Sequence, residues 1–114
     1  MQMNALDEGN CLVISVEEHR IDASVAVRFK DRMRELTENT SQQIVLDLSR
    51  VEFVDSSGLG AIVGAMKQLG REKRLDLAGL TPSVDKVFRM TRMDTVFRIC
   101  PDRASAIGGV VHAS

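Results

Sequence analysis

The sequence has few of the features that mark secreted, membrane-bound or nucleic-acid-binding proteins. Only two cysteines occur in 114 residues, Cys11 and Cys100, which is too few for a disulfide framework or a paired metal-ligand motif. No apolar run approaches the roughly 18 residues of a membrane span, and the N-terminus lacks the basic and then apolar pattern of a secretory signal. The net charge of −1 argues against binding of nucleic acid through phosphate neutralisation. We therefore predict a cytoplasmic protein that binds neither nucleic acid nor membrane.

The composition and the pattern of apolar residues predict one small α/β domain. Hydrophobic residues make up 44% and charged residues 27% of the chain, as in folded domains of this length with a single core. Strands are expected at 12–16, in a short segment that ends at Ile21, and at 44–48, 75–79 and 96–99. Helices are expected at 22–39, 57–70, 82–88 and 102–111. This alternation predicts a mixed, largely parallel sheet of four to five strands with about four helices. We expect an N-terminal extension at residues 1–10 and the domain at residues 11–114.

Some residues carry sharper expectations. Asp22 or Ser24 can cap the first helix, because a short side-chain oxygen accepts from the free amides of the first turn. Residues 39–42 predict a turn, and Gly70 can end the second helix. Phe53, like the valines beside it, is expected to be buried. The predicted buried stripe of the second helix consists of Leu59, Ile62, Val63, Met66 and Leu69.

The segment most suited to a specific function is 53–60, where a predicted buried strand meets a predicted helix. The free amides of a helix's first turn favour an anion, so a serine there is a good attachment point for a phosphate. Gly58 and Gly60 leave the backbone bare and would let a partner approach closely. The alternative is that Asp55 or one of the two serines after it only caps the helix, which contributes about 1 kcal/mol. Capping and phosphorylation at adjacent residues can coexist.

The hexapeptide DSSGLG at 55–60 resembles the signature of STAS-domain anti-sigma factor antagonists. The resemblance covers about residues 12–111 and includes Ile21-Asp22, residues 44–48, residues 81–88, Met93-Asp94 and residues 97–99. It implies a STAS domain in which Ser56, the serine after the aspartate, is phosphorylated. It also implies a partner-binding surface around the start of the second helix, formed by Asp22, Asp55, Ser56, Ser57, Gly58 and Leu59. At the position of His19 the family commonly has a glycine.

The resemblance implies a role in partner switching. In such a system the unphosphorylated protein binds an anti-sigma factor that is also a serine kinase, and a sigma factor is thereby released. Phosphorylation of Ser56 by the kinase breaks the complex, and a serine phosphatase of the PP2C type restores it. The protein would act on the sigma factor indirectly, without being an enzyme and without a cofactor or metal.

Other functions are open from the sequence. A STAS domain can instead be a scaffold subunit of a transport or secretion-regulating assembly, in which Ser56 is not a switch. The run from Gly58 to Gly64 loosely resembles a dinucleotide-binding fingerprint, but its third glycine comes one residue late and the chain is too short for a substrate domain. His19 and His112 have no cysteine or acidic cluster at metal-ligand spacing.

Charge is distributed unevenly along the chain. Residues 1–57 carry 6 basic and 11 acidic side chains, whereas residues 58–114 carry 9 basic and 5 acidic ones. This asymmetry predicts a dipolar surface or, alternatively, a partner surface. The basic residues near the end of the second helix complement its dipole or dock an acidic partner. They are Lys67, Arg71, Lys73 and Arg74.

Overall fold

Strands and helices alternate along most of the chain in a computed structural model, which describes residues 1–8, 10–39 and 43–111, with side chains described up to Ile107. The elements are β1 (Met3–Asp7), β2 (Cys11–Val16), β3 (Arg20–Ile21), α1 (Ala26–Thr37), β4 (Gln43–Asp47), β5 (Phe53–Val54), α2 (Ser56–Leu69), β6 (Arg74–Ala78), α3 (Pro82–Met90), β7 (Ile99–Cys100) and α4 (Arg103–Val111). A single 3₁₀ turn, Met93–Thr95, precedes β7.

The main sheet has five strands in the order β1-β2-β4-β6-β7. β1 runs antiparallel to β2, and the other neighbours are parallel. The predicted α/β fold with a mixed, largely parallel sheet and four helices is therefore confirmed. The sequence predicted no strand before Cys11, but β1 lies within the expected extension at residues 1–10. Its residues give a weak strand signal because only Met3 is buried.

Side-chain alternation in the parallel strands gives the sheet two different faces. On one face, Ile14, Leu46 and Leu77 lie side by side in register and join the main core with residues of α1, α2 and α3. On the other face, a smaller apolar cluster packs against α4. That cluster consists of Cys11, Val13, Val45, Ala78, Cys100 and Ala106.

A second, two-stranded sheet positions the N-terminus of α2. β3 and β5 pair in parallel, with Arg20 opposite Phe53 and Ile21 opposite Val54. Ile21 and Val54 point into the main core, where their exposed fractions are 0% and 4%. Because β5 ends one residue before Asp55, this pair of strands sets where α2 begins.

Several local predictions are wrong. Phe53 is 42% exposed rather than buried. Successive side chains of a strand point to opposite faces, and in β5 it is Val54 that faces the core. Neither Asp22 nor Ser24 caps α1, whose N-cap residue is Val25 without a side-chain hydrogen bond. The strand expected at 96–99 is shorter and begins at Ile99.

Other expectations agree with the structure in part. Gly70 ends α2, with a positive φ of 76°. The buried residues of α2 are Gly58, Ala61, Ile62 and Ala65. Of the stripe predicted for this helix, only Ile62 is fully buried, and the rest are partly buried against the core. Most of the turn predicted at 39–42 lies outside the described residues.

Candidate functional site

Asp55 is the N-cap of α2 and organises the site. Its Oδ1 accepts a hydrogen bond from the backbone N–H of Gly58 at 2.8 Å, and its backbone carbonyl accepts from Leu59 N at 2.9 Å. The extended backbone at Asp55 (φ −94°, ψ −177°) gives it N-cap geometry. The capping role that the sequence left open for this segment therefore belongs to Asp55, and both serines after it lie inside the helix.

The second carboxylate oxygen of Asp55 ties α2 to the loop before α1. Asp55 Oδ2 accepts from the backbone N–H of Ala23 at 3.2 Å. Asp22, next along this loop, accepts from Ser24 N at 3.1 Å and from the Ser24 hydroxyl. These hydrogen bonds from Ser24, with a further one from Arg20, hold the pKa of Asp22 below its ordinary value of 3.8 although burial opposes them. The structure thus brings Asp22 and Asp55 together on one surface.

Ser56 and Ser57 form the first turn of α2, and both are exposed. The cap takes the amide of Gly58, and the first helical hydrogen bond takes that of Leu59. Among the described residues, the amides of Ser56 and Ser57 lie at the positive end of the helix and take no part in these two hydrogen bonds. An anion attached to either hydroxyl would lie close to these amides and to the helix dipole.

Gly58 and Leu59 face inward, unlike the two serines. Gly58 is buried, and a Cβ built on it would lie 1.9 Å from the backbone oxygen of Ile21. The glycine is therefore required by close packing of α2 on β3, which corrects the expectation that it leaves room for a partner. Leu59 is partly buried against the main core. Gly60 is exposed, and a Cβ there would meet nothing within 4 Å.

Comparisons with known proteins identify the family of this chain. The chain matches the STAS domain model over residues 2–106. It belongs to the STAS domain family. The anti-sigma-B factor antagonist of Listeria monocytogenes is 32% identical over 80 residues, which are 69% of this chain and 70% of that protein. The predicted resemblance is therefore confirmed at the level of the family.

Solved structures of STAS proteins have the same fold. An anti-sigma factor antagonist from Mycobacterium paratuberculosis superposes with a TM-score of 0.85 at 25% identity, over 96% of this chain and 92% of that one. The Bacillus cell fate determinant SpoIIAA in its phosphorylated form gives a TM-score of 0.69 at 20% identity, over 96% and 99% of the two chains. At that identity the second likeness establishes the fold alone.

Beside Ser56, this STAS domain exposes a surface that the sequence did not predict. The backbone N–H groups of Glu52 and Phe53 both donate to the carbonyl of His19, at 2.7 and 3.2 Å. His19 Nδ1 lies 3.1 Å from Glu52 Oε2, and both side chains are largely exposed. The guanidinium carbon of Arg20 lies 4.6 Å from the centre of the Phe53 ring. No sequence signal could reveal this surface, because it depends on the pairing of β3 with β5.

The structure also describes other features that were considered from the sequence. The described residues of this STAS domain contain no group of three or more His, Cys, Asp or Glu that could hold a metal ion, and His112 lies outside them. None of their helices is long and apolar enough to cross a membrane.

In the basic patch after α2, Lys73 Nζ donates to the Thr37 carbonyl at 2.6 Å, so this lysine caps the C-terminus of α1. Gly64 packs against Lys30 of α1.

Proposed function

We propose that this STAS domain is an anti-sigma factor antagonist that acts by partner switching. In its unphosphorylated form it binds an anti-sigma factor that is also a serine kinase, and a sigma factor is released. Phosphorylation of Ser56 breaks that complex, and a PP2C-type serine phosphatase restores the binding form. Asp22, Asp55, Ser56 and Ser57 lie at the proposed contact, while Gly58 and Leu59 support it from below.

The observation that carries the proposal is the position of Ser56. Its hydroxyl is exposed on the first residue of α2, immediately after an aspartate that already caps the helix. Because Asp55 satisfies the Gly58 amide, the Ser56 hydroxyl has no capping role to lose when it is modified. The 32% identity to an anti-sigma-B factor antagonist supports the same role. A related fold is also known in phosphorylated form.

The charge of a phosphate explains why modification would act on the complex rather than on the fold. A phosphoserine adds about −1.5 to −2 charge at pH 7, which helix amides and the dipole stabilise within this chain. A kinase that transfers phosphate to Ser56 must bring its nucleotide phosphates to the Ser56 hydroxyl. After transfer, like charges face one another in a contact that excludes water, and the complex is destabilised.

The first prediction concerns the modified residue. Incubation with the cognate anti-sigma factor kinase and ATP should place one phosphate on Ser56, because this hydroxyl is exposed at the positive end of α2. Mass spectrometry of the digested protein identifies the site. Ser57→Ala is the matched control and should still be modified, whereas Ser56→Ala should not. Phosphate on Ser57 alone would contradict the proposal.

Binding measurements on variants of Ser56 distinguish the scaffold function that the sequence left open. A scaffold subunit would bind its assembly equally well as wild type, Ser56→Ala or Ser56→Asp. An antagonist should bind the kinase as wild type or Ser56→Ala and lose affinity as Ser56→Asp. The aspartate mimics the phosphate imperfectly, because it carries less charge and fewer acceptor oxygens. Equal affinities for all three proteins would contradict the switch.

A further inference from the structure

Arg20 and Phe53 form an ordered, outward-facing pair on the β3–β5 sheet. They are directly opposite one another in the parallel register, and the next pair, Ile21 and Val54, faces the core. Strand alternation therefore places the Phe53 ring on the surface. Phe53 is three residues before Ser56 on the segment that runs into α2. Both residues are exposed, and only Val54 and Asp55 separate them along the chain.

The exposure of Phe53 is unusual for this chain. The chain has four phenylalanines. The other three are Phe29, Phe88 and Phe97, with exposed fractions of 0%, 0% and 3%, whereas that of Phe53 is 42%. The Phe53 ring is not part of the main core. Burial of the exposed ring against a partner would remove its apolar area from water. This removal contributes a favourable free energy of about 25 cal/mol per Å².

The ring is held in place before any partner binds. The Arg20 guanidinium lies over the ring at 4.6 Å, and Arg20 Nε lies 3.4 Å from Asp22 Oδ2. The Phe53 backbone is fixed by its hydrogen bond to the His19 carbonyl. An aromatic side chain that is already ordered loses little conformational entropy on binding. Buried aromatic and arginine residues are also the most frequent energetic centres of protein interfaces.

The two chain segments that form the β3–β5 pair are acidic. Residues 17–24 and 50–57 together carry five carboxylates and two arginines. Both arginines are already paired: Arg20 with Asp22, and Arg50 with Glu17 at 3.0 Å. The complementary partner surface is therefore an apolar pocket with a basic rim.

We propose that Phe53, oriented by Arg20, is the apolar anchor of the kinase-binding surface and inserts into a basic-rimmed pocket of the anti-sigma factor kinase. This inference rests on the proposed function and names the residue that gives the contact its affinity. Ser56 then controls whether the complex persists, while Phe53 determines how tightly it forms. The two residues act separately because the ring carries no charge.

The test is titration calorimetry of the purified cognate anti-sigma factor kinase against the unphosphorylated full chain. Phe53→Ala should weaken the affinity at least about tenfold, as expected for a buried interface aromatic. Phe53→Trp should retain most of the affinity, because it keeps an aromatic ring beneath Arg20. The matched control is Leu6→Ala, which shortens a side chain that is 52% exposed on β1 of the other sheet. The control should bind as wild type does.

The outcomes separate the anchor from the function on which it rests. If wild type binds the kinase and a folded Phe53→Ala binds within twofold of it, the anchor is wrong and the proposed function stands. If wild type does not bind at all, both are wrong. Thermal unfolding checks that each variant is folded. If the alanine variant unfolds, Phe53→Thr replaces it, because threonine is β-branched and suited to a strand. The same loss of affinity, about tenfold, is then expected.

Discussion

Gly58 lies where α2 crosses the backbone of β3 with no room for a side chain. The backbone oxygen of Ile21 occupies the place where a Cβ would be, at 1.9 Å. Two residues along the same helix, Gly60 faces open space. The two glycines therefore have opposite structural meanings, although in the sequence both are glycines of one motif. The two positions therefore form a matched pair for substitution within one helix.

At the residue scale, we predict that Gly58→Ala and Gly60→Ala change stability in opposite directions. Gly58→Ala should lower the free energy of unfolding by about 1–3 kcal/mol, because α2 must move away from a rigid backbone atom. Gly60→Ala should raise it by about 0.5–1 kcal/mol, because alanine is the better helix former. Urea unfolding of both variants measures the difference. Equal effects of the two substitutions would contradict the close contact with Ile21.

At the element scale, α4 differs from the other helices in how it is attached. The main-core face of the sheet is apolar, whereas Gln43, Asp47 and Asp76 are buried polar residues that lie in register with the small cluster under α4.

Arg103, the first residue of α4, donates to Asp47 Oδ2 at 2.7 Å and to Ser15 Oγ at 2.7 Å. Arg98 donates to the Ala106 carbonyl at 2.8 Å. Hydrogen bonds to charged groups therefore hold much of this helix.

We predict that the attachment of α4 depends on pH through Asp47. Burial raises the pKa of Asp47, but hydrogen bonds from Ser49 and Arg103 outweigh it and hold the pKa below the ordinary 3.8. The stabilisation is present above 3.8 and is lost as the pH falls through the folded-state pKa. Arg103→Ala should therefore lower the free energy of unfolding by about 1–3 kcal/mol at pH 7, and by progressively less below pH 3.8.

Urea unfolding at several pH values measures the effect of Arg103→Ala. Arg34→Ala is the control, because Arg34 pairs with Asp31 on the exposed face of α1 and should change stability by no more than about 0.5 kcal/mol. A loss for Arg103→Ala that did not depend on pH would contradict the role of the ionised Asp47 carboxylate.

At the scale of the whole molecule, the candidate site and the main core are largely separate. The core lies between the sheet and α1, α2 and α3, while Ser56 lies on the surface at one end of α2. The charge added by a phosphate therefore falls outside the apolar interior. This separation would allow a switch to act on binding while the fold stays intact.

We predict that phosphorylation of Ser56 changes partner binding far more than stability. The melting temperature should move little, because helix amides favour the anion by up to about 1 kcal/mol. Affinity for the kinase should fall by more than about a hundredfold, which corresponds to roughly 3 kcal/mol. Thermal unfolding and calorimetry on phosphorylated and unmodified protein measure both quantities. A modified protein that melts far lower, or that binds equally well, would contradict the switch.

Local signals in the sequence were enough for most elements and for the position of the serine. Apolar periodicity predicted α1, α2 and α3, and aliphatic runs predicted β2, β4 and β6, because such patterns repeat within a few neighbouring residues. The strand-to-helix junction before Ser56 was predicted for the same reason. The alternation of strands and helices from β2 onward, and with it the fold class, was therefore determined by the sequence alone.

The tertiary structure decided which way the site residues face. Gly58 is buried and Phe53 is exposed because β3 pairs with β5, and the two strands come from separate parts of the chain. The sequence predicted the reverse, since a glycine beside a serine and a phenylalanine beside a valine carry no local information about a partner strand. β1 was missed for a different reason. It pairs with the next strand along the chain, but only Met3 contributes a buried side chain, so its residues show no apolar pattern. Pairing between distant segments is a property of the folded chain.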